Sequence, residues 1–354
     1  MAHLDHIRIA GFKSIRDQEV ELRPLNVLIG ANGSGKSNFI GVFRLLHEIV
    51  SGRLQLHVAR NGGAEQILHY GRKVTGMLDL DLRFGPVGYF CELTPTLNDS
   101  LVFAHEIVST WESEDTYEQE ILGTGHKETA LEPTGQMAAV LRGWQVYHFQ
   151  DTSDTARVKQ TGDLHDNSYL RPDAGNLAAF LYRLRETQPD AYRNINDIVG
   201  MAAPFFGSFN LQPDRLSPDK IRLEWQEHGS DAYFDAHSFS DGTLRFICLA
   251  TLLLQPELPS TVLLDEPELG LHPYAITVLA DLLRSAATRA QVVVSTQSVT
   301  LVNQLSPEDV LIVDRADGAS VFRRLTQEEI ATWLDDYALG ELWEKNVLGG
   351  RPGA

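Results

Sequence analysis

Apolar and polar positions along this chain follow two periods, and the places where one gives way to the other predict its elements. His6-Ile7-Arg8-Ile9 alternates like a half-buried strand, Gly11-Phe12-Lys13-Ser14 turns, and Val20 and Leu22 lead into a further strand. Leu25–Ile29 (LNVLI) is a continuous apolar run, the pattern of a strand covered on both faces. Residues 38–50 (NFIGVFRLLHEIV) change to helical spacing. Residues 74–110 hold more strand-like alternation, such as MLDLDLRF at 77–84. Residues 111–175 are polar, acidic and turn-rich, and predict the least regular part of the chain, with mobility in some of it. An amphipathic helix over 176–187 and another around 191–201 follow, then an alternating strand at 221–226. From 239 to 313 helix and strand alternate: helices near 243–254, 274–287 and 299–305, strands at 262–264, 292–295 and 310–313. Such a series builds a parallel sheet. There is no internal repeat and no sustained heptad pattern.

Between the buried strand and the helix at 38–50 stands Gly30-Ala31-Asn32-Gly33-Ser34-Gly35-Lys36-Ser37. This is G-x-x-x-x-G-K-S in the strand-to-helix context that makes it a phosphate-binding loop. Its glycines let the backbone wrap a phosphate chain and aim N–H groups at it, and the helix N-terminus adds partial positive charge. The loop implies ATP and Mg²⁺, with Lys36 on the β/γ-phosphates and the Ser37 hydroxyl on the metal; the bland alternative is a glycine-rich turn. Asn32, Gly33, Ser34, Gly35 and Asn38 complete the expected nucleotide-binding set.

A second half-site is expected at TVLLDEP, residues 261–267, an apolar strand ending in two carboxylates. Strand ends of this kind face the ligand crevice of an open α/β fold. Asp265 then holds Mg²⁺ and Glu266 acts as general base on the attacking water. Taken alone, such a pair is often just a solvated strand end.

Composition narrows the class. The 354 residues allow two or three units, or one core with an insertion; 43% hydrophobic and 22% charged residues describe a globular chain. No apolar run reaches the roughly 18 residues of a spanning helix, and the start lacks a signal-peptide core. Cys91 and Cys248 lie far apart in apolar surroundings and read as reduced core thiols of a cytoplasmic protein. The formal net charge of -18 disfavours a free-standing nucleic-acid coater.

Three further motifs frame the carboxylates. FSDGTLR at 239–245 begins 25 residues before Asp265 counted from Ser240, ELGLHP at 268–273 follows directly, and Gln297 in STQS lies 31 residues after Glu266. This order resembles the ABC-type ATPase core: phosphate loop, signature, carboxylate strand, D-loop, switch. Its wording resembles the branch containing SMC, RecF and OLD-type ATPases. It is most similar to stand-alone bacterial AAA family ATPases, several of which belong to anti-phage defence systems. The resemblance covers the chain except residues 111–175. It includes GFKSI at 11–15, similar to an element this branch places beside the nucleotide, with Lys13 as its contact. The LGELW at 339–343 is similar to the tail of the stand-alone group.

The resemblance implies an α/β ABC-type P-loop core: a mostly parallel sheet flanked by helices, an N-terminal antiparallel β subdomain, and an inserted, mainly helical or irregular lobe. The expected divisions are residues 1–110, 111–235 and 236–354. It also implies a homodimer closed by ATP. Ser240, Asp241 and Gly242 of one subunit would meet the γ-phosphate held by the other, although Ser240 before a helix is equally a plain N-cap. Asp241 replaces the second glycine of transporter signatures. The switch is Gln297 rather than histidine, so it hydrogen-bonds without titrating as imidazole does. Gln150 is the candidate Q-loop residue and metal contact, with Gln66 the alternative. His237 and His272 read as ordinary polar residues, and Arg245 either reaches a phosphate or makes a surface ion pair.

The functional expectation is an ATP-hydrolysing dimer that controls a separate effector such as a nuclease or toxin, with nucleic acid not favoured as partner and no membrane. The roughly forty residues after Asp314 are too few for the nuclease domain of OLD-type enzymes. The alternatives are a RecF/SMC-like ATPase acting directly on DNA, a transporter ATPase subunit, and a nucleotide-binding scaffold without hydrolysis. The signature wording and the 204 residues between Lys36 and Ser240 weaken the transporter reading. Retention of Lys36, Ser37, Asp265 and Glu266 weakens the scaffold.

Overall fold

The computed structural model describes residues 3–111, 116–334 and 336–350. Two six-stranded sheets organise it. The hairpin of β1 (His6–Phe12) and β2 (Ile15–Glu21) begins an antiparallel sheet, and β3 (Leu25–Ile29) crosses to the second sheet. Then β4 (Leu78–Phe84), β5 (Val87–Pro95), β6 (Leu101–Trp111) and β7 (Tyr117–Gly123) return to the first, in the order β2-β1-β4-β5-β6-β7. In β4 the alternation works as the sequence predicts: Leu78, Leu80, Leu82 and Phe84 are buried on one face.

The second sheet contains β8 (Trp144–Tyr147), β14 (Thr261–Asp265), β15 (Gln291–Thr296), β16 (Val310–Ala316) and β17 (Ala319–Arg324), in the order β17-β16-β3-β15-β14-β8. All neighbours are parallel except the edge strand β17, which returns antiparallel to β16. Both faces are covered, which is why the central strands β3, β14 and β15 are buried along nearly their whole length. Alternate residues serve two cores. Leu28, Leu263 and Val293 face α1 (Lys36–Val50) and the antiparallel sheet. Val27, Val262, Leu264 and Val294 face α7 (Asp241–Leu254) and α8 (Pro273–Ala287). Helix α1 is thereby clamped between the sheets through Phe39 and Phe43; α2 (Leu54–Arg60) and α4 (Gln136–Arg142) pack against it, and α3 (Ala64–Ile67) follows α2.

The segment 111–175 departs from its expected irregularity. It supplies β7 to the first sheet, pairing with β6, and β8 to the second, pairing with β14, and also α4 and β9 (Gly162–Asp163). Buried Trp144 and Tyr147 hold β8 in place, a signal too short to stand out in a polar stretch. Part of WESED lies outside the described residues.

Beyond it, α5 (Leu177–Thr187) and α6 (Pro189–Ala202) match the two predicted helices. Strand β11 (Lys220–Ile221) pairs with β9, while β10 (Phe206–Asn210), β12 (Glu224–Glu227) and β13 (Tyr233–Asp235) form a three-stranded sheet. Trp225 of β12 stacks on Phe239 with ring centroids 4.5 Å apart, which seats the chain just before Ser240. At the end, α9 (Val299–Val302), α10 (Gln327–Leu334) and α11 (Leu339–Glu344) complete the set. The helix predicted over 299–305 is shorter, ending at Val302.

Candidate nucleotide site

The phosphate loop leaves β3 and enters α1, whose first residue is Lys36. Two of its glycines are required by geometry. Gly35 has φ 120°, and a Cβ there would fall 2.0 Å from Ser320 Oγ; at Gly30 (φ 157°) it would fall 2.2 Å from the Val313 carbonyl. Lys36 is buried, and its Nζ donates to the carbonyls of Gly30 (2.7 Å) and Ala31 (3.0 Å). Burial lowers its pKa, opposed by the negative charges of Glu266, Asp265 and Glu268. Asn32, Gly33 and Ser37 are exposed, and Ser34 and Gly35 are buried.

A chain of polar contacts braces the loop from outside. Asn38 Nδ2 donates to Ser14 Oγ (2.7 Å), Ser14 Oγ lies 2.7 Å from Ser320 Oγ, and Ser320 Oγ lies 2.5 Å from the Ser34 carbonyl. Thus the β1–β2 hairpin and the edge strand β17 hold the loop. Ser320 was invisible to motif reasoning because it comes from the far end of the chain. Lys13, one residue before Ser14, has φ 46° and donates its backbone N–H to Ile67. Its half-buried ammonium lies 5.5 Å from the Phe12 ring centroid, and burial lowers its pKa with Arg44 adding to the effect.

The carboxylates arrive on the adjacent parallel strands. Asp265 ends β14 opposite Ser295 of β15, and Thr296 of β15 lies opposite Ile29, the residue before the phosphate loop. The loop, Asp265 and the switch therefore share one carboxyl edge of the sheet. Ser295 Oγ donates to Asp265 Oδ1, and Gln297 Nε2 donates to Glu266 Oε1. Glu266 has φ 47°, a left-handed conformation unusual for a glutamate, pinned by its N–H to the Ser295 carbonyl at 2.9 Å. Ser37 and Asp265 offer hard oxygen donors that suit Mg²⁺, which takes few protein ligands and completes its shell with phosphate and water. Among the described residues no group of three or more His, Cys, Asp or Glu side chains forms a metal cage.

Gln150 follows β8, and its Nε2 donates to the Asp265 carbonyl at 3.1 Å, so it meets the carboxylate strand through the backbone. Gln66 sits in α3 against Gly62. Arg245 makes no surface ion pair among the described residues. It is buried in α7 and donates to the carbonyls of Phe149 and Gln150, both at 3.1 Å, joining the signature helix to the Gln150 segment. Glu268 was also missed. It is 8% exposed, and its Oε1 accepts from Thr296 Oγ1 (2.5 Å) and the Gln297 N–H (3.3 Å).

Ser240 caps α7: its Oγ accepts from Thr243 N–H at 3.2 Å. Ser240 and Asp241 are exposed, and Gly242 is pressed so closely on the D-loop that a Cβ would fall 2.2 Å from the Gly270 carbonyl. Among the described residues no hydrogen bond joins Ser240, Asp241 or Gly242 to the phosphate loop of the same chain. His272 caps α8 through Nδ1 and Tyr274 N–H (3.3 Å), and His237 lies 3.8 Å from Asp154, both ordinary roles.

Residues 127–303, half of the chain, match the family model described as AAA domain, putative AbiEii toxin, Type IV TA system. Residues 3–121 match the model described as AAA ATPase domain. A search of curated proteins finds no match. In fold the chain is similar to an Smc head bound to the C-winged helix domain of ScpA, with TM-score 0.63 and 16% identity over 93% of this chain and 99% of that one. It is also similar to an Smc head domain with an extended coiled coil, bound to the C-terminal domain of ScpA from Pyrococcus furiosus. There the TM-score is 0.59 at 16% identity, over 95% of this chain and 99% of the other. The fold is thus the ABC-type P-loop fold of Smc heads.

Proposed function

We propose that this chain, which belongs to the AAA-domain ATPase family, hydrolyses ATP, closes as a homodimer around it, and through that closure controls a separate effector protein in anti-phage defence. One observation carries the hydrolytic part: Gln297 sits on Glu266 at the same sheet edge as Lys36 and Asp265. In this reading Lys36 leaves the Gly30 and Ala31 carbonyls and turns to the β/γ-phosphates. Ser37 and Asp265 would hold Mg²⁺, which neutralises charge on the phosphate oxygens. Glu266 takes a proton from the water that attacks the γ-phosphorus, the bond to the β–γ bridging oxygen breaks, and ADP and phosphate leave. Gln297 orients Glu266 and the water but carries no proton, having no titratable group. Lys13, Asn32, Gly33, Ser34, Gly35 and Asn38 complete the nucleotide contacts, and Gln150 senses the metal side through Asp265.

Dimerisation is supported by the exposure of Ser240 and Asp241 at a helix N-terminus, an anion-binding position with no phosphate loop of its own chain in reach of a hydrogen bond. The effector is a protein such as a nuclease or toxin. The toxin–antitoxin wording of the matched family model and the net charge of -18 support that reading. Among the described residues no helix is long and apolar enough to cross a membrane. The likeness to Smc heads favours one alternative, an ATPase acting directly on DNA. Light scattering of Glu266→Gln protein with and without Mg–ATP tests the assembly: a doubling of mass is expected, and a mass unchanged by nucleotide, together with turnover unaffected by Ser240→Arg, rejects it. Sequencing the proteins that copurify at endogenous expression tests the role, with a membrane permease as the result that overturns it.

A further inference from the structure

Glu268 follows Asp265 and Glu266 in the chain and sits against the switch, and the hydrolysis proposed for this site does not use it. It lies in the turn after Glu266, where Leu269 N–H donates to the Glu266 carbonyl (3.3 Å) and Leu271 N–H to the Glu268 carbonyl (3.0 Å). This turn rests on α7, through the Gly242–Gly270 approach. The Glu268 side chain points inward rather than to solvent. Oε1 accepts from Thr296 Oγ1 and from the backbone N–H of Gln297, and Thr296 Oγ1 accepts in turn from Ser298 N–H at 3.0 Å. Ser298 Oγ caps α9 by accepting from Leu301 N–H (3.2 Å). One carboxyl oxygen therefore holds the Gln297 backbone directly and the Ser298 backbone through the Thr296 hydroxyl. The other, Oε2, is buried with no hydrogen-bond partner among the described residues. A buried polar group left half satisfied costs stability, so its retention calls for a role.

We propose that Glu268 is a positioning residue: by holding the Gln297 backbone and Thr296 it aims the Gln297 amide at Glu266, and so ties the D-loop to the general base. The inference rests on the assignment of Glu266 and Gln297 above. Its chemistry needs an acceptor, not a charge. Burial raises the Glu268 pKa, opposed by the hydrogen bonds from Thr296 and Gln297. The Glu268→Gln amide keeps an acceptor oxygen of the same reach, whereas Glu268→Ala keeps none.

The test is a double-mutant cycle with two readouts. Single-turnover hydrolysis and ATP affinity are measured for wild type, Glu268→Gln, Glu268→Ala, Thr296→Val, Gln297→Ala and the Glu268→Ala/Gln297→Ala pair. A misplaced catalytic group costs up to about 100-fold, so Glu268→Ala is expected to slow hydrolysis by about 10–100-fold with ATP affinity within about 2-fold. Glu268→Gln is expected near wild type, Thr296→Val between, and the double variant no slower than Gln297→Ala. Additive losses in the double variant, or Glu268→Gln as slow as Glu268→Ala, overturn the proposal. Amide hydrogen exchange at Gln297 is followed in parallel without nucleotide: protected in wild type and Glu268→Gln, fast in Glu268→Ala. Equal exchange in all three overturns it even if the chain proves not to hydrolyse ATP, an outcome that would count against the proposed function alone.

Discussion

At the phosphate loop, polar groups are already engaged within the chain: Lys36 on two loop carbonyls, Ser320 on the Ser34 carbonyl, Asn38 on Ser14. At the signature, Ser240 and Asp241 lie exposed, and among the described residues Ser240 is engaged within its own helix, by Thr243 and Leu244. The two corners carry similar hardware, a helix N-terminus with small residues and a hydroxyl. The difference lies in what surrounds them. The first is closed by two sheets and needs only its ligand; the second presents a half-site outward. In the function proposed above, the corner completed within one chain is the one that holds the nucleotide, and the open corner is the one that meets a nucleotide brought by a second copy.

The largest expected effect is at the closed corner. Glu266→Gln removes the base while leaving the Gln297 contact sterically intact, and turnover should fall by about 10²–10⁴ with ATP still bound. Lys36→Ala should instead lose ATP binding. Isothermal titration and phosphate release separate the two, and equal loss of binding in both variants would sink the assignment.

At the open corner, Ser240→Arg should abolish ATP-driven dimer formation and hydrolysis while leaving monomer ATP affinity within a few-fold; sedimentation with Mg–ATP reads this. Gly35→Ala sharpens the contrast from the other side. A side chain at φ 120° that meets Ser320 strains the loop by about 1–3 kcal/mol, visible as a lower melting temperature even without nucleotide. Ser240→Ala should cost about 1 kcal/mol of stability through the lost cap alone. If Ser240→Ala also stops hydrolysis, its hydroxyl acts beyond its own helix. The smallest effect concerns DNA. Duplex affinity should be weak and disappear by physiological salt, given the net charge of -18, with a log–log slope near -0.9 per phosphate neutralised. Tight binding at that salt would move the function to direct action on DNA.

The amino-acid sequence by itself determined what is local. The LNVLI strand, the glycine pattern of the loop and the helical spacing of α1 are contiguous, so period and motif suffice to place them. The Asp265–Glu266 pair was legible for the same reason, as the end of an apolar strand. What only the tertiary structure decided are contacts between distant segments. Ser14 meets Ser320 across 306 positions, and Arg245 meets Phe149 across 96. Strand β8 is four residues in a polar stretch, and becomes part of the sheet because β14 offers it a hydrogen-bonding edge and the core buries Trp144 and Tyr147. Glu268 reads as one more acidic residue in a turn until the fold buries it under Thr296 and Gln297. Periodicity reports which face of an element is apolar, while a hydrogen bond depends on which element lies opposite, and that is settled only when the sheets close around α1.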